Sequence, residues 1–129
     1  MITEEPIRVE ETMAEVMDPT RGGVASFLGV VRAEREDNGV ISIFYDCYRE
    51  MTVKEIGRII DEISDAAVVL RIVHRIGEVP TGEASLLVVA AAPHRREAFD
   101  AVQRAVDEIK RRLPIWKKEK YADETAKWI

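Results

Sequence analysis

The segment that most restricts the fold is ASLLVVAAA, residues 84–92, which runs directly into PHRREAFDAVQRAVDEIKRRLP, residues 93–114. The first part is short, apolar and uninterrupted, as expected of a strand at the centre of a sheet. The second carries Phe99, Val102, Val106, Ile109 and Leu113 on one helical stripe, which makes residues 93–113 the longest helix candidate of the chain. Pro93 suits the first turn. Pro114 ends the helix, because the residue before a proline is pushed out of helical geometry.

The remaining segments alternate in type. GGVASFLGVV (22–31) and VISIFYDCY (40–48) read as strands, and the Asn38-Gly39 turn signal between them predicts a long-looped hairpin. REMTVKEIGRIIDEIS (49–64) is an amphipathic helix through Ile56, Ile59, Ile60 and Ile63, with Thr52 as its candidate cap and Glu55 three residues on. AVVLRIVHRIGEV (67–79) alternates as a strand with His74 on its apolar face, where a satisfied core histidine is the expected role. PIRVEETMAEVMD offers a short strand and a short helix. Intermixed elements with a short first connection predict an α+β fold, a mixed and mostly antiparallel sheet packed against helices. At 129 residues the chain is expected to form one domain, 1–129, with a short variable tail over about 120–129.

Composition narrows the function classes. A net charge of −5 and a pI near 5.2 argue against general nucleic-acid binding, which needs a basic footprint. The N-terminal MITEEPIRVEETMAEVMD lacks the basic start and apolar run of a signal peptide, and no apolar run approaches membrane-spanning length, so a cytoplasmic protein is expected. Cys47 alone excludes an internal disulfide, and with only His74 and His94 beside it no structural zinc site is expected.

Against that acidic background, IKRRLPIWKKEK, residues 109–120, gathers six Lys or Arg. On a helical wheel started at Phe99 the apolar stripe runs from about 280° through 0°, Arg95 falls near 320° and Lys110 near 20°, and Arg111 and Arg112 point away near 120° and 220°. Arg111 and Arg112 read as a solvated face that complements the helix dipole. Lys110 either snorkels along the core edge or lines a site. His94 and Arg95 open the same helix, where they either form an anion site or make a capping contact and an ion pair with Glu97. Arg95 and Lys110 are about 22 Å apart along the axis, too far for one small ligand. If both serve one site, two subunits must build it. Lys117, beyond the helix, reads from its neighbours as a solvated KKEK tail, although nearby cations and an apolar wall would lower its pKa.

Four segments in order, GGVASFLGVVR, YREMTVKEI, VHRIGEVPTGEASLLVVAAAPHRREAFDAV and IKRRLPIWKKE, together resemble the catalytic (large) subunit of molybdopterin synthase, the MoaE family, over roughly residues 21–120. The resemblance implies an α/β hammerhead fold and a sulfurtransferase without a cofactor of its own. Its substrate would be cyclic pyranopterin monophosphate, converted to the dithiolene of molybdopterin. Its partner would be a small MoaD-type carrier whose C-terminal Gly-Gly bears the sulfur as a thiocarboxylate. A homodimer at the centre of a heterotetramer is implied, with the His-Arg pair reaching the neighbouring subunit's site.

The residues matching the family's substrate-binding positions are Arg32, His94, Arg95, Lys110, Lys117 and Glu119, and its catalytic lysines match Lys110 and Lys117. On that basis Arg32, His94 and Arg95 hold phosphate or pterin oxygens, the lysines stabilise the acyl-sulfur end, and either lysine serves as acid/base or transient nucleophile. A narrow apolar slot near Ile115 and Trp116 would admit a glycine tail. Cys47 matches no functional position. The segment AEREDNG after Arg32 departs from expectation by being acidic beside an anionic substrate. A rival from another class is a dimeric binding module whose basic helix ends grip RNA or an acidic protein.

Overall fold

The computed structural model describes residues 1–33 and 39–129. Its organising element is the expected central strand, β6 (Ala84–Ala92), which is buried from Ser85 onward. It lies between β2 (Gly23–Val30) and β4 (Val69–Arg75), antiparallel to both, and β1 (Ile2–Thr3) adds to β4 in parallel. Alternate residues of β6 face opposite cores, which is why no polar residue interrupts it after Ser85. Leu86, Val88, Ala90 and Ala92 meet helices α2 (Arg49–Ile63) and α3 (Arg95–Arg112), while Leu87, Val89 and Ala91 meet α1 (Val9–Glu15) and Val16. Ile59, Leu70 and Leu87 are completely enclosed, and each such side chain contributes roughly 1.5–3 kcal/mol.

The helix stripe differs from the expected one in an instructive way. The buried face of α3 is Ala98, Ala101, Val102, Ala105 and Ile109, and Phe99 stands out at 63% exposure. Small alanines let the helix lie close to the sheet, so the stripe is centred near 260° on the Phe99 wheel rather than on the large side chains. That rotation corrects the reading of Arg112 as solvated. It turns inward to α2, where its Nε donates to Glu55 at 3.0 Å and its Nη1 reaches Glu62 and Glu108. Arg111 stays on the outer face, paired with Glu108. In α2, Thr52 is not the cap: the helix begins three residues earlier, after Tyr48, and Thr52 is fully buried within it.

The strands divide into two sheets. The second has the order β5 (Gly77–Pro80), β3 (Val40–Cys47), β7 (Ile115–Tyr121), β8 (Ala126–Trp128), all antiparallel. The predicted β2–β3 hairpin does not form, since β2 pairs with β6 and β3 pairs with β5 and β7. A turn signal says that the chain reverses, not which edge it then meets, and Asn38 itself lies outside the described residues. The strand read over 67–79 splits at Gly77, whose φ of 84° redirects the chain from the first sheet to the second. KKEK is no solvated tail: it lies in β7, and β8 covers the far edge within the segment expected to be variable. Among the described residues no helix is long and apolar enough to cross a membrane.

β2 passes under the start of α3 so closely that a Cβ on Gly23 would lie 3.0 Å from the backbone N of Arg95 and the carbonyl carbon of His94. Gly23→Ala should therefore lower unfolding free energy by about 1–3 kcal/mol, the usual cost of overpacking, in denaturant titrations. A variant as stable as the parent would show that this contact has slack.

Candidate functional site

Proline and strand alternation assemble the site. Pro114 stops α3, and Ile115 N–H donates to the Leu113 carbonyl at 2.9 Å as the chain turns into β7. Along β7 the side chains of Ile115, Lys117 and Glu119 then share one face, and Lys117 sits opposite Tyr45 on β3. The turn thus returns Lys117 to the helix end that carries Lys110. Both line one cavity of about 540 Å³ at the junction of the two sheets, with Arg32 at the exit of β2 and Glu119 beside them. Its walls include Phe27, Leu28, Val30, Ile109 and Leu113, and its polar lining adds Tyr45, His74 and Ser85.

The cations of this cavity differ from the half-buried and buried ones that the fold pairs. Arg112, Arg75 and Lys120 each have a carboxylate partner. Among the described residues Arg32, Lys110 and Lys117 form no ion pair. Partial burial and then the nearby Lys110 charge hold the Lys117 ammonium below its ordinary pKa of 10.5. Glu119 is the buried acid of the group, 4% exposed, and accepts a 3.0 Å hydrogen bond from Tyr121 Oη.

Four of the six expected site residues therefore meet: Arg32, Lys110, Lys117 and Glu119. His94 and Arg95 do not join them. They are exposed at the opposite end of α3, where His94 makes no capping bond and its Nδ1 lies 3.8 Å from Glu97. The slot expected beside Ile115 and Trp116 has only Ile115 in its lining, since Trp116 faces outward and packs edge-on against Tyr48 at 5.2 Å. Lys110 reaches the cavity for a reason other than its phase. It stands well away from the true buried stripe, but the cavity opens beyond the helix end rather than beneath the helix.

His74 was legible only as a core residue, and it is one, at 6% exposure. It also lines the cavity. Burial pushes its imidazole from 6.5 down to about 4; the bond to the Arg75 carbonyl opposes this, and the charges of Lys117, Lys110 and the N-terminus add to it. Tyr45, packed edge-on to the ring at 5.4 Å, is raised by burial and eased by its hydrogen bond to Ser85. Their only sequence signal was a place on alternating strands.

A folded pKa near 4 against 6.5 unfolded means that the unfolded chain binds the extra proton between those values, so stability rises with pH there. The contribution is complete above about pH 6.5 and is lost as pH falls toward 4, a difference corresponding to about 3 kcal/mol. His74→Phe should remove that part of the acid loss. Denaturant titrations from neutral pH to pH 4 should bring wild type and variant closer by about this amount. Parallel stability curves would contradict it.

Known proteins match the chain over most of its length. The family model described as MoaE protein matches residues 2–112. The chain is 44% identical over 127 residues to a molybdopterin synthase catalytic subunit from Pyrococcus abyssi, covering 97% of this chain and 85% of that one. It is 37% identical over 130 residues to molybdopterin synthase catalytic subunit 1 of Mycobacterium tuberculosis, covering 99% and 88%. Among solved structures, molybdopterin synthase from Staphylococcus aureus superposes with a TM-score of 0.94 at 33% identity, covering 99% and 94%. A complex of subunits 1 and 2 of the molybdopterin-converting factor from Helicobacter pylori gives 0.81 at 25% identity, covering 99% and 86%. By family model, relatives and fold, the chain belongs to the MoaE family.

Proposed function

We propose that this chain is the catalytic subunit of a molybdopterin synthase. It takes sulfur from the C-terminal thiocarboxylate of a small carrier subunit and transfers it to cyclic pyranopterin monophosphate, forming the molybdopterin dithiolene of molybdenum cofactor biosynthesis. The observation that carries this reading is the convergence of Arg32, Lys110 and Lys117, without carboxylate partners among the described residues, on one cavity. Substrate phosphate, incoming thiocarboxylate and departing carboxylate are all anions, and fixed cations in a sheltered cavity stabilise them far better than water-exposed ones.

The two lysines are not equivalent. Lys117 is the one held below its ordinary pKa, so it releases a proton more readily and suits acid/base work, while Lys110 adds a second charge to the same space. In each transfer the carrier's sulfur bonds to a pterin side-chain carbon as a carbon–oxygen bond at that carbon breaks, the oxygen leaving with the electron pair, and water then cleaves the acyl carbon–sulfur bond and restores the carrier carboxylate. Charge gathering on the acyl oxygen and carboxylate falls within reach of both ammonium groups. Cys47 is outside the cavity lining, and no step here uses it.

The Helicobacter pylori neighbour is described as a two-subunit complex, which supports a small partner subunit. The exposure of His94 and Arg95 at the far end of α3 supports their serving the cavity of a second copy, in a homodimer within a heterotetramer. A cytoplasmic location suits this chemistry. The RNA-binding alternative has less support at the end of α3, where Arg111 and Arg112 are paired with Glu55, Glu62 and Glu108.

A mixed-chain assay tests the reading. His94→Ala and Lys110→Ala chains, each inactive in dithiolene formation alone, should regain activity when refolded together, because each mixed dimer then has one intact and one doubly altered site. Inactivity of the mixture beside an active wild type would overturn the shared site.

A further inference from the structure

One cavity group has no part in the transfer as derived above. The His74 Nδ1 lies 2.8 Å from the Arg75 carbonyl oxygen. A carbonyl only accepts, so the ring proton sits on Nδ1 and Nε2 carries the free lone pair. The edge-on contact with Tyr45 and this hydrogen bond together fix the ring's orientation. Nε2 makes no hydrogen bond to a described residue, yet it is not among the side-chain atoms sealed from solvent without a partner. Nε2 thus keeps access to solvent, and the residue that carries it lines the cavity.

The chemistry of that space makes an acceptor there informative. Arg32, Lys110 and Lys117 are donors only, the Glu119 carboxylate already accepts from Tyr121, and the Ser85 hydroxyl is turned to the Gly29 carbonyl. His74 is neutral at ordinary pH, so it adds no further cation to the group. Neither lysine bonds to it, although both are close enough for their charge to be felt. With no donor from the described residues, this acceptor is left to water or to a ligand that brings an N–H and displaces that water.

We propose that His74 is a further substrate-binding residue, whose Nε2 accepts a hydrogen bond from a ring N–H of the pterin while the cations take its anionic groups. The inference rests on the pterin reading above and narrows it. The ligand must present an N–H donor on one side and negative charge on another, and a pterin ring with its phosphate does both. A glycine amide of the carrier tail is the other N–H source within this chemistry.

The test uses the wild-type chain with histidine labelled by nitrogen-15, since the Nε2 resonance moves upfield when the lone pair accepts a hydrogen bond. Titration with the cyclic pterin alone should produce that shift with Nδ1–H retained, and titration with the carboxylate form of the carrier alone should not. Pterin binding seen by calorimetry without an Nε2 shift would overturn the proposal and leave the sulfurtransferase reading standing. A shift with the carrier alone would assign the acceptor to the glycine amide and overturn it equally. Absence of any pterin binding would overturn the wider reading along with it. His74→Asn, which keeps a donor for the Arg75 carbonyl and lacks the Nε2 acceptor, should weaken pterin binding about tenfold while carrier affinity is unchanged. Equal pterin affinity in this variant would contradict the proposal.

Discussion

The two-sided burial of β6 is the constraint on which the rest of the structure depends. Its alternate residues hold α2 and α3 on one face and α1 on the other, so the sheet cannot shift without opening both cores. Because the contact with α3 is made through alanines, the helix lies close and its rotation is fixed. That rotation sends Arg112 toward α2 and leaves the last turn projecting toward the second sheet. Everything functional is built beyond that projection.

The site exists where the two sheets meet, and it concentrates cost. Placing Lys117 half-buried beside another cation works against its charged form. The fold nonetheless supplies no carboxylate partner for it among the described residues, while it supplies three for Arg112. Stability alone would favour pairing every buried cation. An unpaired group of this kind is held in place by surrounding packing, from β3, the Pro114 turn and the α3 end, and it is ready for an anion from outside.

Legibility in the sequence followed the physics of each element. β6, α2 and α3 were readable because burial on a sheet or helix face imposes a period on apolar residues. The stripe of α3 was misjudged because large side chains were weighted and alanines were not, which put Phe99 inside and Arg112 outside. β7 was hidden because its inward face alternates Ile115, Lys117 and Glu119, and charges in a strand mimic a tail. Strand partners of β2 and β3 depend on distant edges, which local turn signals do not specify. Within the site, Lys110 was singled out by a helical phase that the true stripe does not share, Lys117 only by family resemblance, and the cavity position of His74 by neither, since a residue lining an enclosed space looks like any other core position.

The most direct measurement combines the chain with thiocarboxylated carrier and cyclic pyranopterin monophosphate and follows the dithiolene product. The account predicts product from the wild type, and from Lys117→Ala a folded chain that still binds the carrier but makes essentially none. Full dithiolene formation by Lys117→Ala, or none by the wild type with both partners bound, would contradict it.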